Sequence, residues 1–354
     1  MGLKTPYAAD AATLEQCWAD ALGQLHQRAH HSPALAPYAR TIYEFLSNSG
    51  KRFRPRLCLG AFRVFRDCKS VPLNVAQAAI GLELFHSFAL IHDDLIDGSP
   101  TRRGQPSLHR RLREALEISA SQSEKLALLA GDLLFGMAWE ALSRLGNPVA
   151  STYFARVTQD TGWGEALEIV NASKILSNVS REAIESTYLF KTTRYSFEAP
   201  LTVGAMAAGA PGPIADVMHR LAEPLGLAFQ AENDLHEIER WLDGETRPSC
   251  DLKGGVKTLV LKEASARLEP QPQARLDALL QNPAQPDAMA ELARLVERSG
   301  AIQVVREIVR EQFEAAHTAL ESDALAPAQR EGLASLVALV RENLRHSESL
   351  TEVV

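Results

Sequence analysis

Apolar residues recur at three- and four-residue intervals along nearly all of this 354-residue chain, and the strict alternation of a half-buried strand is almost absent. The spacing predicts helices over residues 12–30, 35–48, 52–68, 73–97, 107–117, 123–145, 148–172, 180–198, 200–210, 214–242, 255–268, 286–298, 300–321 and 326–345. Breakers separate them: Ser49-Gly50, Gly146-Asn147-Pro148, Pro211-Gly212-Pro213 and Gly254-Gly255. Ser180 reads as a helix N-cap, and Ser121 with Glu124 three residues on reads as a capping box. The Pro- and Gln-rich stretch from Glu269 to Asp287 reads as a surface excursion, and no short repeat suggests a solenoid. The expectation is one all-α domain over residues 1–354, with polar ends fraying at about 1–10 and 347–354.

Composition narrows the function classes. At 46% hydrophobic residues the chain can bury a sizeable core, and a net charge of −7 argues against a generic nucleic-acid or anionic-membrane surface. Basic groups serving an anionic ligand must then be concentrated locally. Cys17, Cys58, Cys68 and Cys250 are scattered without a CxxC pair, which fits free thiols in a reducing compartment. No signal peptide is visible, and no uninterrupted apolar run reaches the roughly 20 residues of a membrane span. A cytoplasmic protein that binds no nucleic acid is expected.

The densest chemistry lies in His92-Asp93-Asp94-Leu95-Ile96-Asp97-Gly98-Ser99-Pro100-Thr101-Arg102-Arg103-Gly104, after a greasy helical stretch from Leu82 to Ile91. Asp93 and Asp97, four residues apart, share a helix face, and their mutual repulsion calls for a cation between them. Oxygen-only ligands suit Mg²⁺, which also binds substrate phosphates, and the alternating acids and Gly of an EF-hand are missing. Arg102 and Arg103 then offer guanidinium forks to an anionic group. A second basic cluster, Gly50-Lys51-Arg52-Phe53-Arg54-Pro55, presents Lys51 and Arg54 beside a helix start. Lys191 and Tyr195, one turn apart in Lys191-Thr192-Thr193-Arg194-Tyr195, can face a cleft together. Far downstream, Gln230-Ala231-Glu232-Asn233-Asp234-Leu235-His236-Glu237 repeats the four-residue spacing through Asn233 and Glu237, followed by Arg247, Asp251 and Gly254-Gly255-Val256-Lys257-Thr258.

In order and content these motifs, from about Tyr38 to about Ala264, resemble the trans-isoprenyl diphosphate synthases, or polyprenyl synthetases, of the short-chain type. The resemblance implies a bundle of long, mostly antiparallel helices around a central cavity. It implies Mg²⁺, up to three ions with Mn²⁺ as a substitute, and isopentenyl and allylic diphosphates as substrates, in a homodimer. Asp93 and Asp97 resemble the metal ligands on the allylic diphosphate, with Asp94 supporting. Lys51, Arg54, His86 and Arg103 resemble the isopentenyl diphosphate pocket, and Arg102, Lys191 and Arg247 the contacts to the allylic diphosphate. Thr192 and Gln230 would flank the reacting carbons, and Asn233, Asp234 and Glu237 occupy the second metal motif.

This chain departs from the family pattern at three places. Asn233 stands for an acid and brings no charge; Glu165 and Glu168 stand where Gln and Asp are usual; Val256 replaces a Lys, leaving Lys257 as the neighbouring substrate-binding candidate. Asn233-Asp234 also resembles the start of a class I terpene-synthase motif, so a non-elongating enzyme and a non-catalytic regulatory subunit stand as alternatives. Phe88 lies five residues before Asp93, about 7.5 Å down a helix, with the small Ala89 beside it. The resemblance makes Phe88 a chain-length stop, implying a geranylgeranyl (C20) product, with farnesyl (C15) next.

Overall fold

The computed structural model describes residues 6–29, 32–47, 50, 52–102, 104–244, 249–283 and 287–345, without the side chains of 6–9, 250, 251 and 345. The chain is all-α. Helices α1 (Pro6–Ala29), α2 (Ala36–Ser47), α3 (Phe53–Phe65) and α4 (Leu73–Ile96) lead to a short hairpin, β1 (Thr101–Arg102) with β2 (Gln105–Pro106). Then come α5 (Leu108–Leu116), α6 (Ala120–Ser143), α7 (Pro148–Ala172) and α8 (Arg181–Tyr188), a π-helical segment (Leu189–Glu198), α9 (Ala199–Ala207) and α10 (Pro213–Leu242). The last are α11 (Cys250–Gly254), α12 (Leu259–Arg267), α13 (Pro270–Gln281), α14 (Ala288–Ser299), α15 (Ala301–Ala319) and α16 (Pro327–Arg345).

Three readings of the sequence need correction. The stretch from Glu269 contains α13, a helix with Pro270 in its first turn and Leu276, Leu279 and Leu280 buried. Proline there gives up only a donor that a helix start leaves unused, so the composition misled while the leucine spacing was helical. The α6 capping box is Ser119 with Gln122, two residues ahead of the expected Ser121 and Glu124. Helix α1 begins at Pro6, and its buried Asp10 receives both arms of Arg63 at 2.5 and 2.7 Å. Finally, α4 and α6 are each long and apolar enough to cross a membrane by length and composition. Interruptions such as Glu83 and His86 broke the run in the sequence without breaking the helix. In α4, 78% of the apolar window is buried inside the protein, as a core helix requires; in α6 the share is 39%.

The chain divides into two compact units. The first holds the described residues up to Phe154 together with Ala199–Ala215. Its core centres on α4, which is buried on nearly every side and packs against α6 and α3. Gly81 permits the approach to α6, since a Cβ there would lie 2.9 Å from the Ala138 carbonyl, and Gly204 of α9 does the same against the Cys58 carbonyl of α3 at 2.2 Å. The second unit comprises Ala155–Glu198 and the described residues from Asp216 on. There, α12, α14 and α15 share an apolar cluster with the buried faces of α8 and α10, including Tyr188, Leu235, Leu259, Leu292 and Val305. Cys17, Cys58 and Cys68 are free thiols.

Candidate active site

In the first unit the helix itself creates the demand for cations. Gly98, at φ +63°, ends α4, and the Ser99 N–H closes back on the Asp94 carbonyl at 2.9 Å. Asp93, Asp94 and Asp97 therefore sit in the last turn, where the helix dipole is already negative. The hairpin folds Arg102 back onto them: its guanidinium donates to Asp93 at 2.6 Å and to Asp94 at 2.7 and 2.9 Å. Gly104, at φ +70°, makes that tight reversal possible.

Burial is the largest influence on Asp94 and pushes its carboxyl up to about 6, while Arg102 pulls the other way. Its Oδ2 is buried without a hydrogen-bond partner among the described residues. An orphaned carboxylate oxygen, an all-oxygen donor set and a negative helix end fit a hard divalent cation. Asp97 is half-buried at the helix C-cap, one turn beyond Asp93 on the same face.

Beneath the acids lies an aromatic layer. Phe88 is half-buried, and its ring lies tilted against His92 at 4.5 Å, Phe135 at 5.1 Å and Phe85 at 5.3 Å between centroids; Phe85 in turn meets Phe154 at 5.4 Å. Ala89, by its spacing, lies on the face of Asp93 and Asp97, so Phe88 is turned towards α6 and Ala89 towards the acids. His92 bonds the Leu128 carbonyl of α6 at 3.1 Å, over Gly131. Arg54 and His86 are both buried, at 3% and 2% exposure. Lys51 and Arg103 lie outside the described residues, as does Arg247 of the downstream loop.

In the second unit the π-helical segment carries the chemistry. Gly164 of α7 and Gly226 of α10 let it pack at van der Waals limits: a Cβ at Gly164 would lie 2.1 Å from the Lys191 backbone, and one at Gly226 would lie 2.0 Å from Thr193. Lys191 donates to Glu165 at 3.0 Å and Glu168 at 2.5 Å, so one ammonium is shared by two carboxylates. Thr192 and Tyr195 are buried beside it.

The second acidic motif is arranged differently from the first. Asp234 is buried, and its Oδ2 accepts from the Tyr188 hydroxyl and from the Leu259 N–H at 3.0 Å. It caps the start of α12, and Tyr188, completely enclosed, has its phenol pushed well up, first by burial and then by this carboxylate. Nothing in the sequence marked Tyr188 for that role. Asn233 turns its amide nitrogen to Gln230 at 3.2 Å, and Glu237 is half-buried one turn on. Lys257 is folded onto backbone carbonyls, Gly255 at 2.5 Å and Ala172 at 3.3 Å, and burial lowers its pKa. Of the second motif, Asp234 and Lys257 bond groups of the protein itself, while Asn233 and Glu237 lie half-buried one turn apart.

Comparison with known proteins agrees with this picture. The polyprenyl synthetase family matches residues 36–297. A short chain isoprenyl diphosphate synthase of Methanothermobacter thermautotrophicus is 30% identical over 314 residues, 86% of this chain and 89% of that protein. A geranylgeranyl diphosphate synthase of Methanosarcina mazei is 32% identical over 226 residues, covering 61% and 63%. Among solved structures, geranylgeranyl pyrophosphate synthase from Corynebacterium glutamicum, complexed with isoprenyl diphosphate and magnesium, superposes with a TM-score of 0.79 at 25% identity, covering 97% of this chain and 99% of that one. A match across most of the chain, joined to an acid-and-arginine turn that closes a buried apolar helix, makes this protein a member of the polyprenyl synthetase family and a prenyltransferase.

Proposed function

We propose that this prenyltransferase joins isopentenyl diphosphate head to tail to an allylic diphosphate in a Mg²⁺-dependent reaction and stops at geranylgeranyl diphosphate, with farnesyl diphosphate the next best product. The observation that carries this reading is the pairing of the Asp93–Arg102–Asp94 clamp with an aromatic layer one turn beneath it. Ionising an allylic diphosphate demands positive charge at the leaving group. Arg102 brings one charge on a hairpin that can exchange carboxylate for diphosphate, and Mg²⁺, when bound at Asp93 and Asp97, supplies the rest. Arg54 and His86 would hold the isopentenyl diphosphate in a buried, electropositive position. Phe88 and its neighbours exclude water, which would quench the allylic cation. In the second unit Lys191, held in readiness between Glu165 and Glu168, would turn to the allylic diphosphate, with Thr192 and Gln230 near the reacting carbons.

Homodimer formation and a cytoplasmic location belong to the same proposal. The first is supported by Leu128, Leu129 and Leu133 exposed along α6, the second by the free, scattered cysteines. One observation favours a second reading, ionisation without elongation: the second motif carries neutral Asn233 and a committed Asp234.

Purified protein incubated with Mg²⁺, isopentenyl diphosphate and each allylic starter in turn separates the two. Mass spectrometry should find a C20 diphosphate and no turnover once isopentenyl diphosphate is left out. Release of diphosphate with a hydrocarbon product in its absence would overturn the elongating reading.

A further inference from the structure

Arg52 stands between Lys51 and Arg54 in the basic segment and has no assigned role there. Its backbone is left-handed, at φ 51° and ψ 45°, a conformation that a residue with a side chain rarely adopts. Its carbonyl accepts the Arg56 N–H at 3.1 Å, opening α3. A strained residue held in such a place is over-determined by its surroundings, and here the side chain does the holding. The guanidinium, buried with the rest of Arg52, lies 4.1 Å over the Trp18 ring of α1. Its edge faces Glu83 of α4 at 3.7 Å and Glu15 of α1 at 3.6 Å.

Glu83 is itself buried at 3% exposure in α4, a helix buried on nearly every side, and its Oε2 has no hydrogen-bond partner among the described residues. An acid so placed is costly unless a cation accompanies it. Three residues on, His86 lies on the same face of α4. Arg54 follows Arg52 by two residues, in the first turn of α3.

We propose that Arg52 is a positioning residue: stacked on Trp18 and paired with Glu83, it pins the turn that carries Arg54 to the helix that carries His86, and so sets the spacing of the isopentenyl diphosphate pocket. The inference rests on the reading that Arg54 and His86 form that pocket. Arginine is required because a flat guanidinium can stack on an indole and pair along its edge at once, whereas an ammonium cannot.

The test measures KM for each substrate and kcat separately in the full-length enzyme and in Arg52→Lys, Arg52→Gly, Glu83→Gln and Arg54→Gln, each checked for folding by circular dichroism. Arg52→Lys and Glu83→Gln should raise the isopentenyl diphosphate KM about tenfold or more, as displaced binding groups do, while the allylic KM holds within about twofold. Arg52→Gly removes the backbone strain, yet should be at least as impaired. If glycine keeps the native isopentenyl KM, the position matters only for its backbone and the clamp is refuted. Equal changes in both KM values would refute it too, by showing general damage. Should the glycine variant not fold, the Arg52→Lys and Glu83→Gln pair decides: their effects must be non-additive in the double variant, and additive effects refute the pairing. Arg54→Gln isolates the underlying reading. An unchanged isopentenyl KM there removes the pocket itself; a raised one alongside a normal Arg52→Lys removes only the clamp.

Discussion

Two glycines on α6 show how much one side chain's surroundings decide. Ala is the better helix former by about 1 kcal/mol, and a Cβ at Gly136 would meet nothing within 4 Å, so Gly136→Ala should stabilise the protein by roughly that amount. At Gly131 a Cβ would come within 2.2 Å of the His92 ring, which is fixed by the Leu128 carbonyl and by Phe88. Overpacking of that kind costs roughly 1–3 kcal/mol, outweighing the propensity gain, so Gly131→Ala should lower the melting temperature. Thermal unfolding of the two variants reads the opposite signs directly. Asn233 allows a second comparison. If it serves a cation, Asn233→Asp restores a charged ligand and should lower the Mg²⁺ concentration for half-maximal activity; an unchanged or higher requirement would remove Asn233 from the metal site. Both the Asp93/Asp97 pair and the Asn233 substitution were legible as residue types at a spacing. The commitment of Asp234 to Tyr188 and Leu259 was not, because these partners lie 46 and 25 residues away.

At the scale of elements, α4 and α6 divide one task. The Asp93 face of α4 continues through Ala89, while Phe88 projects to meet Phe135 of α6. A product chain growing past the acids meets this layer, so Phe88→Ala and Phe135→Ala should each lengthen the product, and the double variant should lengthen it further. Product sizes from mass spectrometry check this, and an unchanged distribution in both single variants would place the floor elsewhere. The pattern of apolar residues announced both helices but not their pairing, which depends on Gly81 and Gly131 meeting particular atoms. It also missed the π-helical segment. Local spacing there is ambiguous, and the wider winding goes with the close seating of Lys191 and Thr193 on Gly164 and Gly226.

For the whole molecule, the exposed leucines of α6 matter most. Leu129 and Leu133 are 53% and 46% exposed, one turn apart on one helix. If a second copy covers them, Leu129→Glu with Leu133→Glu should convert a dimer to a monomer, as light scattering after size exclusion would record. A wild-type protein already monomeric would refute the assignment.

By itself the sequence determined the all-α class, most helix positions and the acid and arginine motifs, because these depend on contacts within a turn or two of the chain. The tertiary structure decided which of those charged groups also bond distant parts of the protein. Lys257 and Asp234, singled out by position, also bond backbone groups far from them or around the turn, Ala172 and Gly255 for Lys257 and Leu259 for Asp234. Arg52 had no role by position, yet it is buried against Trp18 and Glu83. Whether a charged side chain serves the fold or the substrate depends on partners distant in sequence, and local spacing carries no record of them.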